Sequence, residues 1–207
     1  NLYRAQDTVF NWLIKLLTIF SLLLMVFVIA FIFKESVAFF KEVSVLKFIT
    51  GRTWNPLLSA NNLGILSAIQ GTLYVSSVAI ALALPIGVGT ALLLAGYVKD
   101  ELQMIIRGII DVLAGIPSVG YGFIGLLVLV KFFETTLDLS SGESVLAGGI
   151  LLAVMILPYI ISTCYESMEK SYREHVPSSQ ALGVSRSYLL QKIILPESKR
   201  SILAAGN

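Results

Sequence analysis

Between Leu63 and Val98 the chain carries no charged side chain. An unbroken apolar stretch of that length leaves two destinations: the centre of a large protein or the interior of a bilayer. The rest of the chain cannot supply the first. Only 14% of its 207 residues are charged and 56% are hydrophobic, whereas soluble domains carry about 25% charged residues. About 20 apolar residues cross a bilayer as a helix, so the chain reads as a multi-pass membrane protein.

Four apolar segments follow from the same criterion. The first, Leu16 to Phe33, is charge-free and extends inward through Phe10 to Leu13. The second is expected to span from about Leu73 to Tyr97, with Pro85 and Gly87 as its kink. Its more polar start lies toward the outer surface. The third runs from about Gln103 to Phe133, and the fourth from Val145 to about Cys164, with Pro158 inside it. A polar, charged stretch, Glu166 to Arg200, follows. With the N-terminus inside, ten of the fifteen lysines and arginines fall in inside segments and five outside. That distribution satisfies the positive-inside rule. It puts Lys34 to Asn62 and Glu134 to Ser144 outside, and Lys99 to Gln103 and Glu166 to Arg200 in the cytoplasm.

Several function classes lose support. One histidine and one cysteine predict no metal site, because zinc usually takes three or four such ligands. The net charge of +2 is spread along the chain and gives no nucleic-acid signature. No nucleophile–base pair with motif support is present, so an enzyme is not expected. No Gly-x-x-x-x-Gly-Lys-Ser/Thr loop occurs, so ATP, if used, belongs to a partner, and no cofactor is expected on this chain. The N-terminus lacks a cleavable-signal pattern.

The richest stretch follows the fourth segment. Glu166 to Glu174 reads as a helical extension. Pro177 fits the first turn of a new short helix, where its missing N–H costs nothing. Gly183 can end that helix in a left-handed conformation. Ser185 can cap the next helix, whose Leu190, Ile193 and Ile194 form an apolar stripe, and Pro196 breaks it. The expected result is a short helix, about His175 to Val184, lying crosswise between two others.

Gly183, Ile193, Leu195 and Pro196 stand at the spacing of the cytoplasmic EAA loop, and the stretch resembles that loop of bacterial ABC importer permeases. The Glu-Ala-Ala triplet is replaced by Pro177, Ser178 and Ser179. The resemblance implies that His175, Pro177, Ser178, Ser179, Ala181, Leu182, Gly183, Ile193, Leu195 and Pro196 couple the chain to a separate ATPase. It also implies a MetI-like, all-α bundle of spanning helices. That fold works as a pair of permeases, identical or different, with ATPase subunits and an external binding protein. The location implied is the bacterial inner membrane. The expected organisation is one permease domain over 1–207 with a coupling loop at 166–200. The chain ends eleven residues after Pro196, so about four spans are expected and the bundle reads as incomplete.

Substrate is read from Gly115-Ile116-Pro117-Ser118-Val119-Gly120-Tyr121-Gly122. This run is similar to the Ile-Pro-Ser-Val-x-Tyr-Gly run of phosphate permeases of the PstC type, and Trp54-Asn55-Pro56 adds to the likeness. The resemblance implies phosphate import by alternating access, with Gly115, Ile116, Pro117, Ser118 and Tyr121 along the substrate path. Physically, Pro117 frees the carbonyl of Leu113, and a half-helix opening there could turn N–H groups toward an oxyanion. Helix packing through Gly115, Gly120, Gly122 and Gly125 is the competing role. Arg107 and Asp111, four apart on one helical face, predict a structural ion pair. Another oxyanion, an amino acid or a polyamine is the alternative cargo, and a channel or scaffold without ATPase is the alternative class.

Overall fold

The computed structural model describes residues 2–55, 63–137 and 141–205. All named elements among them are helical, in two compact units, Asn1–Ile69 and Gln70–Asn207. The all-α transmembrane class expected from the sequence is what the chain adopts. Among the described residues, four helices are long and apolar enough to cross a membrane.

In the first unit, α1 (Leu2–Glu42) is one continuous helix. Its 41 residues give about 60 Å at 1.5 Å per residue, twice the hydrocarbon thickness of about 30 Å. Phe10, Trp12, Phe20, Phe27 and Phe33 all stand exposed, as expected of a helix that is apolar all round and faces lipid or other helices. After α1 the chain turns sharply. Phe39, Phe40 and Phe48 of α2 (Val45–Thr50) pack edge to face with centroids 5.1–5.5 Å apart. Trp54 pairs with Leu63 in an isolated bridge. Pro56, part of the Trp-Asn-Pro motif, lies outside the described residues.

The second unit is built on α3 (Leu66–Gly96), which enters it at Gln70, and α7 (Val145–Ala181). Ala79, Ala83, Gly87, Ala91 and Ala95 recur every four residues on α3, all buried. Such a stripe lets helix backbones approach closely. A Cβ on Gly87 would sit 2.6 Å from Ile160 Cγ2, and one on Gly149 would sit 2.5 Å from Val78 Cγ1. Ile160, Cys164, Tyr165 and Met168 of α7 fill the other side. Gly87 is therefore a contact residue, and Pro85 lies inside an uninterrupted α3.

Two boundaries differ from the sequence expectation. The third apolar segment is two elements. The helix α4 (Asp100–Ala114) ends at Gly115, and the span is Ser118–Thr136. That span comprises α5 (Ser118–Ile124), a π-helical stretch Gly125–Val130, and the start of α6 (Lys131–Leu137). Arg107 and Asp111 thus lie outside it. At its 15 residues, α4 covers only about 22 Å, short of a crossing. The second difference is α7, which runs through both Pro158 and Pro177 without ending.

Candidate functional site

The end of α7 and the segment after it form a helical hairpin. Pro177 does not open a new helix, as the sequence had suggested; it lies four residues inside the end of α7. Losing one ladder hydrogen bond there leaves only the Arg173 carbonyl without its donor, and the exposure of this turn lets water serve it. The expected crosswise helix His175 to Val184 is instead the last turns of α7.

The turn itself follows the sequence reading. Gly183 has φ +67°, a left-handed value that side chains with a Cβ rarely adopt. Its N–H donates to the Gln180 carbonyl at 3.1 Å, and the Val184 N–H donates to the Ser179 carbonyl at 2.9 Å. These two bonds make a Schellman motif, which satisfies the carbonyls a helix end leaves open. Ser185 then caps α8 (Arg186–Leu189), its hydroxyl accepting from the Tyr188 N–H at 3.3 Å. Pro196 does not break the returning helix. It lies within α9 (Leu195–Glu197), after a π-helical stretch Leu190–Ile194, and the interruption falls at Ser198 before α10 (Lys199–Ala205).

The hairpin has a bare tip and a buried base. Pro177, Ser178, Ala181, Leu182 and Gly183 are exposed, and Leu182 presents 79% of its surface. Ser179 is buried, its hydroxyl donating to the Val176 carbonyl. At the base, Leu189, Leu190 and Ile194 are buried, with Ile193 and Leu195 packed beside them. Leu190 rests on Gly96 at the end of α3, where no side chain stands between them. Glu197 reaches α7. Its carboxylate accepts from the Ser171 hydroxyl and lies 3.8 Å from His175 Nδ1. That nitrogen is 2.9 Å from the Ser171 carbonyl. Of Gly96, Ser171, His175 and Glu197, the sequence reading had singled out only His175. Ser171, Glu197 and Gly96 carry no local signal, because each is defined by a partner far along the chain.

Beside the base, Lys99, Asp100, Gln103, Glu169, Arg173 and Arg186 line a cleft of about 410 Å³. Gln103 is buried and donates to the Leu94 carbonyl at 3.0 Å, satisfying an acceptor at the end of α3. Arg173 pairs with Glu169. The expected Arg107–Asp111 pair is not formed. The Arg107 guanidinium lies 4.7 Å from the centre of the Tyr165 ring, a cation–π contact. Tyr165 comes from α7, so the long arginine stem follows a buried aromatic face rather than its own helix. Asp111 shares a second cleft with Arg107, Glu169 and Arg173.

The Gly115–Tyr121 run forms the junction between α4 and α5. Pro117, φ −57° and ψ 138°, caps α5, so a helix does begin at that proline, but it continues as the whole third span and not as a half-helix. The carbonyl of Leu113 is not left open, however. It accepts from the Tyr121 hydroxyl at 2.9 Å and from the Ile116 N–H at 3.2 Å. Tyr121 thereby ties the two helices across the break. Gly115, Ile116, Pro117 and Ser118 are exposed around it.

The chain thus joins membrane-spanning helices to an exposed, glycine-turned hairpin. The family described as binding-protein-dependent transport system inner membrane component matches residues 83–205, and the chain belongs to it. That match takes in the third and fourth spans and the hairpin. The chain is 37% identical over 166 residues to the probable ABC transporter permease protein YqgH of Bacillus subtilis strain 168, covering 79% of this chain and 53% of that protein. It is 29% identical over 175 residues to the phosphate transport system permease protein PstC of Mesorhizobium japonicum, covering 75% and 53%. It is 31% identical over 156 residues to the phosphate transport system permease protein PstA 2 of Mycobacterium tuberculosis, covering 72% and 49%. The chain therefore spans about half the length of these curated relatives.

Proposed function

We propose that the chain is the membrane-spanning permease subunit of a phosphate importer and that its hairpin tip couples it to a separate ATPase. The carrying observation is the tip. Pro177 to Gly183 projects uncovered apolar and backbone groups at the end of a spanning helix, on a base that is locked by packing. An exposed apolar turn held rigidly on its base can be covered by a partner with little further ordering. Phosphate as cargo is supported by the Ile116-Pro117-Ser118 run and by the names of relatives. ATP bound by the partner chains would supply the energy, and this chain would bind no cofactor. Closure of two ATPases would drive the hairpins and rock two permeases between outward and inward openings, each state favoured by different contacts. An external phosphate-binding protein would deliver the anion. In this reading the protein sits in a bacterial inner membrane, N-terminus and hairpin cytoplasmic, supported by the ten-to-five distribution of basic residues.

The test is uptake of radiolabelled phosphate by vesicles holding the complete complex, with sulfate and molybdate as competitors. Phosphate should be taken up in preference to both. Strict dependence on a different solute would overturn the cargo assignment. Gly183→Val checks the tip. A β-branched residue in the left-handed region costs about 1–3 kcal/mol, which should undo the Schellman turn and strip the ATPase from the purified complex. Retention of the ATPase with normal uptake would sink the coupling role of the tip.

A further inference from the structure

We propose that Ser171 and Glu197 are a positioning pair that clasps the base of the hairpin, so that the returning arm moves as one body with the tip and the fourth spanning helix. The inference rests on the permease reading above and adds the residues through which the motion passes.

The bond joins residues 26 positions apart, with the entire turn between them. Ser171 is buried on α7, one helical turn before His175. Glu197 closes α9, which has only three residues. Immediately after it, Ser198 has ψ 2°, and helical geometry is interrupted before α10. As the last turn of the returning helix Arg186–Glu197, next to a break, α9 is a poor transmitter of force by itself. The clasp changes that, because the Ser171 hydroxyl donates to the Glu197 carboxylate and holds α9 against α7. His175 completes it. Since the Ser171 carbonyl can only accept, His175 Nδ1–H is the donor across 2.9 Å. This fixes the imidazole beside Glu197 Oε2, 3.8 Å away.

Folding of the hairpin does not depend on this bond. Leu189, Leu190 and Ile194 are at most 2% exposed, and their packing keeps the two arms together. Removing one hydroxyl should therefore leave the fold and the tip intact while loosening the link between α7 and the returning arm. A purely architectural staple would behave otherwise, lowering assembly, hydrolysis and transport together.

The experiment uses the full-length chain in the assembled transporter. Ser171→Ala and Glu197→Ala should assemble and hydrolyse ATP, while phosphate taken up per ATP falls at least about fivefold. Glu197→Gln keeps an acceptor oxygen and Ser171→Thr keeps the hydroxyl, so both should stay within about twofold of wild type. Amide exchange over residues 184–197 reads the clasp without reference to transport. It should quicken at least about fivefold in the two alanine variants. Unchanged exchange would overturn the clasp. Faster exchange with an unchanged uptake-to-hydrolysis ratio would overturn its positioning role. A wild-type complex that neither holds an ATPase nor moves phosphate would overturn the permease reading instead, while exchange still judges the clasp.

Discussion

Gly64→Ala should open the turn after the first span and make Arg52 a prominent trypsin site. Gly51 and Gly64 cross backbone to backbone, and a Cβ on Gly64 would fall on the carbonyl group of Gly51. The reverse substitution fares no better, since a Cβ on Gly51 would sit 2.7 Å from Gly64 Cα and 2.8 Å from the Lys47 oxygen. Side-chain clashes can relax through rotamers; these obstacles are main chain. The crossing is also hydrogen-bonded throughout. Gly64 N–H donates to the Thr53 carbonyl, Ile65 N–H to Phe48, Leu66 N–H to Gly51, and the Ser67 hydroxyl to Arg52, at 2.7–3.0 Å. Separating the strands of backbone therefore breaks several bonds together. Overpacking that cannot relax costs about 3 kcal/mol, roughly a hundredfold in the open population. Trypsin cleavage after Arg52 in mild detergent should rise accordingly, because proteolysis tracks that population when opening is fast. Gly71→Ala is the control. Nothing lies within 4 Å of its Cβ position, and cleavage should not change. Equal cleavage of the Gly64→Ala and wild-type proteins would show that the crossing does not exist.

That crossing illustrates what was legible in the sequence and what was not. Charge-free runs located the first, second and fourth spans, because the cost of placing a charge in hydrocarbon acts residue by residue. Gly183 and Ser185 were legible because caps are local: one φ value, or one hydroxyl three residues from its N–H. Prolines were misread for the opposite reason. Pro177 fits a helix start or a helix interior equally well by composition. Neighbouring packing decides, with Val176 and Ser179 turned inward on a continuous α7. The third segment was misjudged because its hydropathy continues across Gly115 to Pro117, while the backbone does not. Arg107 was paired with Asp111 by spacing alone, and a tyrosine 58 positions away claimed it. Gly87 was read as part of a kink and Gly51, Gly64 and Gly96 were given no role, yet each marks a close approach to a residue further along or back in the chain.

Gly96 carries the second large effect, because it joins the packing of the spans to the hairpin. A Cβ there would lie 2.6 Å from Leu190 Cδ2 and 3.0 Å from Cγ. Leu190 is 1% exposed, so the isobutyl group has nowhere to swing. Gly96→Val should therefore push the returning arm off α3, at a cost of about 2–3 kcal/mol. Thermal unfolding in detergent should drop by several degrees, and ATP-driven uptake should fall with it, because the arm that bears the hairpin no longer seats on the second span. Leu190→Ala alone removes buried methyl groups and leaves a cavity, costing about 2–5 kcal/mol. Combined, the two changes should offset each other: the valine occupies the space the leucine vacates. A double-mutant cycle should then show a coupling energy of about 1–3 kcal/mol, with the double variant more stable than the sum of the single losses predicts. Simple additivity would mean that Leu190 does not rest on Gly96. Recovery of stability without recovery of uptake would mean that the hairpin needs this leucine itself, and not merely a filled space, to move with the span.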